Sequence, residues 1–202
     1  MIDRVPAKER LLKAAAELFY TDGVAATGID TITARAGVAR MSLYNNFSSK
    51  ADLVKFYLEN RVAEWQAVLA ARLERAKTPA ERVLAVFDSY VDHAHLAYGW
   101  GFRGCGLLNA AAELPVGDPG RATVAFQKDE VERLFREYLG DIAPDSTTAD
   151  DVAEHLSFLL EGAMARAGLD GHDGRLKSAR KMAVSLLEQF AASNSPAQRD
   201  EH

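Results

Sequence analysis

Residues 27–50 read TGIDTITARAGVARMSLYNNFSSK, two short helical patterns on either side of a corner. Thr27 and Asp30 have capping-box spacing, and Ile29, Ile32 and Ala36 then hold one apolar face over about two turns. Gly37 falls where the corner demands a positive φ or a close backbone approach, and Val38 seats the corner on the core. The spacing predicts a second helix over 40–46. Leu43 and Phe47 point inward, which leaves Arg40, Met41, Ser42, Tyr44, Asn45 and Asn46 facing mostly outward. That set suits a DNA groove: Arg can bond guanine bidentately, Asn adenine, Ser and Tyr hydroxyls phosphate, and Met can touch a thymine methyl. Thr27, which opens the first helix, is a further candidate DNA contact, and Lys50, at the N-terminus of the helix after the second with its free N–H groups, is placed to hold a phosphate.

Continued to Leu53, the run ITARAGVARMSLYNNFSSKADL resembles the N-terminal DNA-binding signature of the TetR family of bacterial transcriptional repressors, and the resemblance extends over residues 6–58. The Ala-Gly-Val corner, Leu43-Tyr44 with Phe47, and Ser49-Lys50 agree with the family pattern. Met41 departs from it, a small residue being more usual there. The resemblance implies a dimer whose last two helices pair with those of a second subunit, spacing two reading helices for a palindromic operator. It also implies release from double-stranded DNA by a small-molecule effector bound in the C-terminal domain.

Composition sets the bounds. The chain has 202 residues, 48% hydrophobic and 26% charged, which is the balance of a soluble globular protein large enough to bury a core. No apolar run reaches membrane-spanning length, and the charged start MIDRVPAKER is not a secretory signal, so a cytoplasmic location with no membrane partner is expected. Net charge is −5, yet residues 1–50 carry seven Lys/Arg against five Asp/Glu, so the basic bias is N-terminal. One cysteine, Cys105, excludes a disulfide framework and any cysteine-based zinc cluster.

The rest of the chain reads as helices only. Pro6 opens a helix to Tyr20, and Ser49 with Asp52 caps a long helix to Lys77. Thr78-Pro79-Ala80-Glu81 starts another, to Ala97. Four glycines between 99 and 106 break the period before a short helix over 107–114. Further helices follow from Pro119 to Leu139, from Thr147 or Thr148 to Ala167, and from Asp173 to Ala192. No strand alternation or internal repeat is present. The expected fold is all-α: a three-helix helix-turn-helix DNA-binding domain over 1–48, a larger helical ligand-binding and dimerisation domain over 49–193, and a frayed polar tail over 194–202.

Apolar stripes in the last two helices, Val152, Leu156, Leu159 and Ala163 in one and Leu176, Ala183, Leu187 and Phe190 in the other, are the expected dimer interface. For the effector, aromatic residues beside lone polar ones are the candidates: Trp65, Phe87, Tyr90, His93, Trp100, Phe102, Cys105, Asn109, Glu113, Phe126 and Phe158. Asn109 and Glu113, one turn apart on an alanine-rich helix, are the expected polar anchors of an apolar or aromatic effector. Enzyme chemistry finds no support. His93 and His95 lie two apart on one helix and face different ways, no base accompanies Cys105, and no phosphate loop or nucleophile elbow occurs, so neither metal nor cofactor is expected. The alternative from another class is a helical small-molecule binding module without DNA contact.

Overall fold

The computed structural model describes residues 5–95, 101–144 and 146–194. Every regular element among them is an α-helix: α1 Ala7–Thr21, α2 Ile29–Ala36, α3 Arg40–Tyr44, α4 Lys50–Leu73, α5 Pro79–His95, α6 Gly106–Glu113, α7 Pro119–Ile142, α8 Ala149–Asp170 and α9 Gly174–Ser193. They group into two compact units. One holds the described residues up to Ala63 together with Cys105–Ala125, and the other holds Glu64–Gly104 and the residues from Phe126 onward. The first unit is therefore larger than residues 1–48, since the first half of α4, α6 and the start of α7 pack with the N-terminal helices.

Its core is one apolar cluster: Leu11, Ala15 and Phe19 of α1, Ile32 and Ala36 of α2, Leu43 of α3 and Phe47 after it, Leu53, Tyr57 and Leu58 of α4, and Leu107 and Ala110 of α6. These residues recur at three- and four-residue spacing, so each helix turns a single stripe inward. Leu11, Ile32 and Leu43 are wholly buried, each contributing about 1.5–3 kcal/mol relative to exposure. Phe19 and Tyr57 meet edge to face at 5.5 Å. Gly106 begins α6 where a Cβ would lie 2.9 Å from the Tyr57 hydroxyl and 3.2 Å from Tyr20, so only glycine lets α6 approach this closely.

Two helix starts are capped as their spacing predicts. The Asp52 N–H donates to Ser49 Oγ at 3.1 Å, and the Asp52 carboxylate accepts from the Ser48 N–H at 2.9 Å. At α5 the Glu81 N–H donates to Thr78 Oγ1 at 3.2 Å, while the Glu81 carboxylate accepts from the N–H groups of Thr78 and Lys77 at 3.1 and 2.6 Å. Two other predicted caps do not form. Thr27 does not cap α2, whose N-cap is Gly28, and Thr148 makes no side-chain cap bond to α8.

In the second unit α9 lies against α8 and α5. Val86 and Phe87 of α5, Val131 and Phe135 of α7, Leu156 and Leu160 of α8 and Leu176 and Ala183 of α9 are almost wholly buried. This corrects the expected dimer interface: Leu156, Leu176, Ala183, Leu187 and Phe190 are at most 5% exposed within the chain, so the intrachain core takes them. Val152, Leu159 and Ala163 are half-buried. Both helices carry apolar residues on two faces, and the stripe that reads more strongly from sequence is the one turned inward. Arg180 of α9 donates to both oxygens of Asp88 on α5 at 2.5 and 3.0 Å, and Arg72 of α4 donates to both of Asp92 at 2.6 Å.

Candidate nucleic-acid interface and a polar core

The corner between α2 and α3 turns on Gly37, at φ 63° and ψ 42°, a left-handed conformation that a Cβ disfavours. The Gly37 N–H donates to Ala34 O and the Val38 N–H to Thr33 O, closing the end of α2. α1 grips this corner from outside. Arg10 Nη1 donates to the carbonyls of Ala36 and Gly37 at 3.1 and 3.0 Å, and the buried Glu17 carboxylate pairs with Arg35, whose Nε donates at 3.0 Å. With carbonyls and guanidinium both fixed, α3 leaves the corner in one direction.

α3 presents Met41, 69% exposed, and Tyr44, 44% exposed, beside the exposed Arg40 and Asn45. Arg40 is held rather than free: the hydrogen bond it donates to the Tyr44 hydroxyl and then the charge of Asp30, 3.2 Å away, raise its pKa above the ordinary guanidinium value. Its fork is thus kept near the other side chains of the face. Ser42 and Lys50 are half-buried, and Lys50 Nζ lies 3.4 Å from the Ala25 carbonyl.

Two predicted contacts are turned elsewhere. Thr27 is 2% exposed, and its hydroxyl donates to Gly23 O at 2.6 Å, so it locks the α1–α2 loop instead of facing solvent. The Asn46 amide donates to Ser42 O at 2.7 Å, which ties it to its own helix end. Arg10, the Glu17–Arg35 pair and the pairing of Asp30 with Arg40 went unnoticed in the sequence, where the only signal is charge on an amphipathic helix.

The candidate effector residues divide between the units. Cys105, Asn109 and Glu113 belong to the first, and Trp65, Phe87, Tyr90, His93 and Phe102 to the second; Trp100 lies outside the described residues. Glu113 is no pocket anchor. It is exposed and accepts from the Ala25 N–H at 2.6 Å, fastening α6 to the α1–α2 loop. Phe126 and Phe158, 70% and 65% exposed, stand on the surface and line no core, because their helices turn other faces inward.

Trp65, Phe87 and Tyr90 do lie in the interior of the second unit, and His93 is half-buried. Trp65 Nε1 donates to the buried Ser89 hydroxyl at 3.1 Å and meets Tyr90 edge to face at 6.2 Å, while Phe87 stacks at a tilt with Phe135 at 5.6 Å. Around Tyr90 gathers a polar group the sequence did not reveal. Lys128 Nζ pairs with Glu161 at 2.8 Å and donates to the Tyr90 hydroxyl at 3.3 Å. Gln127, the preceding residue of α7, is 2% exposed. Gln127 Oε1 and Glu161 Oε2 are buried with no hydrogen-bond partner, a costly arrangement that polar cores normally avoid. Among the described residues no cluster of His, Cys, Asp and Glu could hold a metal ion, and no helix is long and apolar enough to cross a membrane.

Residues 11–55 match the family model described as "Bacterial regulatory proteins, tetR family". The chain is 34% identical over 93 residues to the HTH-type transcriptional activator FasR of Mycolicibacterium smegmatis, covering 45% of this chain and 42% of that one. It is 26% identical over 137 residues to the HTH-type transcriptional repressor DhaR of Mycobacterium sp. strain GP1, covering 67% and 63%. The chain thus spans less than two thirds of the length of these curated relatives. A crystal structure of a TetR-family transcriptional regulator from Streptomyces coelicolor superposes with a TM-score of 0.78 at 31% identity, covering 94% of this chain and 96% of that one.

Proposed function

The chain belongs to the TetR family of bacterial transcriptional regulators, and on that premise we propose that it is a cytoplasmic, dimeric repressor that binds a palindromic operator and is released by a small-molecule effector. The family is one of regulators and not of enzymes. The observation that carries the reading is the outward set Arg40, Met41, Tyr44 and Asn45, displayed from a helix whose departure angle is held by Gly37, Arg10 and the Glu17–Arg35 pair. Those side chains reach base edges and phosphates, and Lys50 at the α4 N-terminus adds a phosphate contact. Repression is the reading retained from the family pattern; the relatives include an activator as well as a repressor.

The dimer forms through the outward faces of α8 and α9. Phe158, Gly162, Ala165 and Leu169 are exposed at three- and four-residue spacing along α8, and Met182 is 59% exposed on α9. Such an apolar row with small residues at its centre lets two helices approach closely. The effector enters the second unit beside Trp65, Tyr90 and Gln127, where its body meets aromatic rings and a donor group satisfies Gln127 Oε1 or Glu161 Oε2. α4 supplies side chains to both units and carries the change to the reading helices. Operator half-sites recur about every 34–36 Å along one DNA face, so a change of a few Å between reading helices ends simultaneous docking.

A gel shift with the DNA upstream of the protein's own gene tests this reading. Arg40→Ala and Tyr44→Ala are each expected to weaken binding by about 1–3 kcal/mol while leaving the helical circular dichroism unchanged. If both variants shift this DNA at wild-type concentrations, α3 is not the reading helix. Absence of any shift by wild type favours the helical ligand-binding module without DNA contact.

A further inference from the structure

The stretch from Thr27 to Lys50 carries a single acidic residue, Asp30, against three basic ones, Arg35, Arg40 and Lys50. A carboxylate among side chains displayed toward DNA weakens the attraction for phosphate, so its position asks for a reason. Among the described residues the one partner of that carboxylate is Arg40, on the next helix: Arg40 Nη1 lies 3.2 Å from one oxygen and 3.4 Å from the other. Arg40 also donates to the hydroxyl of Tyr44, one turn along α3. Two helices therefore tether one guanidinium. The ion pair spans the corner at Gly37, whose carbonyl and that of Ala36 are gripped by Arg10, so the backbone fixes the separation from which the two side chains reach each other.

Both side chains stand in solvent, Arg40 61% and Asp30 77% exposed, and an ion pair of this kind contributes little to folding. Its consequence lies in what Arg40 attracts. A guanidinium beside a carboxylate loses most of its net pull on a phosphate, which responds to charge. It keeps its directional bonding: five N–H donors are available, the two tethers do not use them all, and two suffice to meet O6 and N7 of a guanine. Pairing thus disfavours contact with any phosphate and leaves contact with a chosen base edge.

On the reading of α3 given above, we propose that Asp30 is a specificity-determining positioning residue, which holds the Arg40 guanidinium for a guanine edge and keeps it from serving as a general phosphate contact. Removal of Asp30 should then raise affinity for random duplex while lowering selectivity among sequences. Loss of a merely structural residue does not produce these opposite signs.

Selection of sites from a randomised duplex library by the full-length protein, joined to gel shifts on a random-sequence duplex over a range of salt, tests the assignment. Arg40→Ala should lose the preference for one G·C pair in each half-site. Asp30→Ala and Asp30→Asn should weaken that same preference about fivefold and leave the other positions unchanged, whereas Asp30→Glu should keep most of it. On random duplex Asp30→Ala should bind more tightly than wild type, and the slope of log K against log salt should steepen by about one for each reading helix engaged. Adding Asp30→Ala to Arg40→Ala should leave the base preferences and the slope as they are in Arg40→Ala, because Asp30 acts through Arg40. Two results overturn the assignment of Asp30 alone: wild-type preference at the Arg40 position in Asp30→Ala, or an equal change of slope in the Arg40→Ala background, which would make Asp30 a simple repeller of phosphate. Unchanged base preferences in Arg40→Ala would overturn it together with the reading of α3 on which it rests.

Discussion

Replacing Gly37 by alanine isolates the backbone contribution to the reading corner. A Cβ built at this position meets nothing closer than Arg10 Nη1 at 3.7 Å, an ordinary van der Waals contact, so no steric clash enters the balance. What remains is conformation: φ of 63° costs a residue with a Cβ about 1–2 kcal/mol. Lower entropy of the unfolded alanine chain returns roughly 0.4–1 kcal/mol, which leaves a net destabilisation of about 1 kcal/mol. Asparagine, which tolerates this region better, should cost less than alanine. Amide hydrogen exchange on the full chain reads the effect where it occurs. Ile32 to Ala36 should exchange about fivefold faster in Gly37→Ala, with Gly37→Asn between it and wild type, while amides of α9 are unchanged. Operator affinity should fall in the same order, since α3 leaves the corner through this residue. Equal protection in wild type and Gly37→Ala, or a greater loss in the asparagine variant, would refute the backbone argument.

Assembly should respond to the outward faces of α8 and α9 and not to the inward stripe: Phe158→Glu with Met182→Glu should sediment as a folded monomer, whereas Leu187→Glu, placing a charge at a site 5% exposed, should unfold the chain at a cost above about 4 kcal/mol. Acid stability should depend on Asp92, whose carboxyl is held below its ordinary value chiefly by the hydrogen bonds from Arg72. A lowered folded-state pKa means stabilisation that is present above the unfolded value near 3.9 and is lost as pH falls through the folded value, so thermal midpoints of Asp92→Asn should fall less steeply than wild type below about pH 4. Gln127→Leu removes a buried oxygen without a partner and should raise stability by about 1 kcal/mol in urea titration, while the transcriptional response to an effector found by ligand screening is lost.

Local chemistry was legible in the sequence because its partners are neighbours along the chain. The boxes Ser49–Asp52 and Thr78–Glu81 close over three residues, and they form with the predicted bonds. Gly37 declared its own conformation, since few other residues enter the left-handed region, and the single apolar stripes of α1 and α2 could face only one way. From such signals the helix order, the corner and the outward face of α3 could all be read. What the sequence could not convey were the contacts made across long separations. Glu113 looked like a polar residue stranded on an alanine-rich helix until its carboxylate met the Ala25 N–H, 88 residues away. Thr27 looked like a cap and a DNA contact until the loop folded its hydroxyl onto Gly23. Glu161 meets Tyr90 across 71 residues, so the polar cluster around Tyr90 has no signature in any one helix. α8 and α9 show the limit most plainly: each carries two apolar faces, and periodicity measures how apolar a face is without saying which neighbour covers it. Only the packing of α9 against α5 and α8 put Leu176 and Leu187 inside and left Phe158, Leu169 and Met182 facing out. A helix's hydrogen bonds are local and written in sequence order, whereas the choice of buried face is settled by the whole set of helices competing for one core.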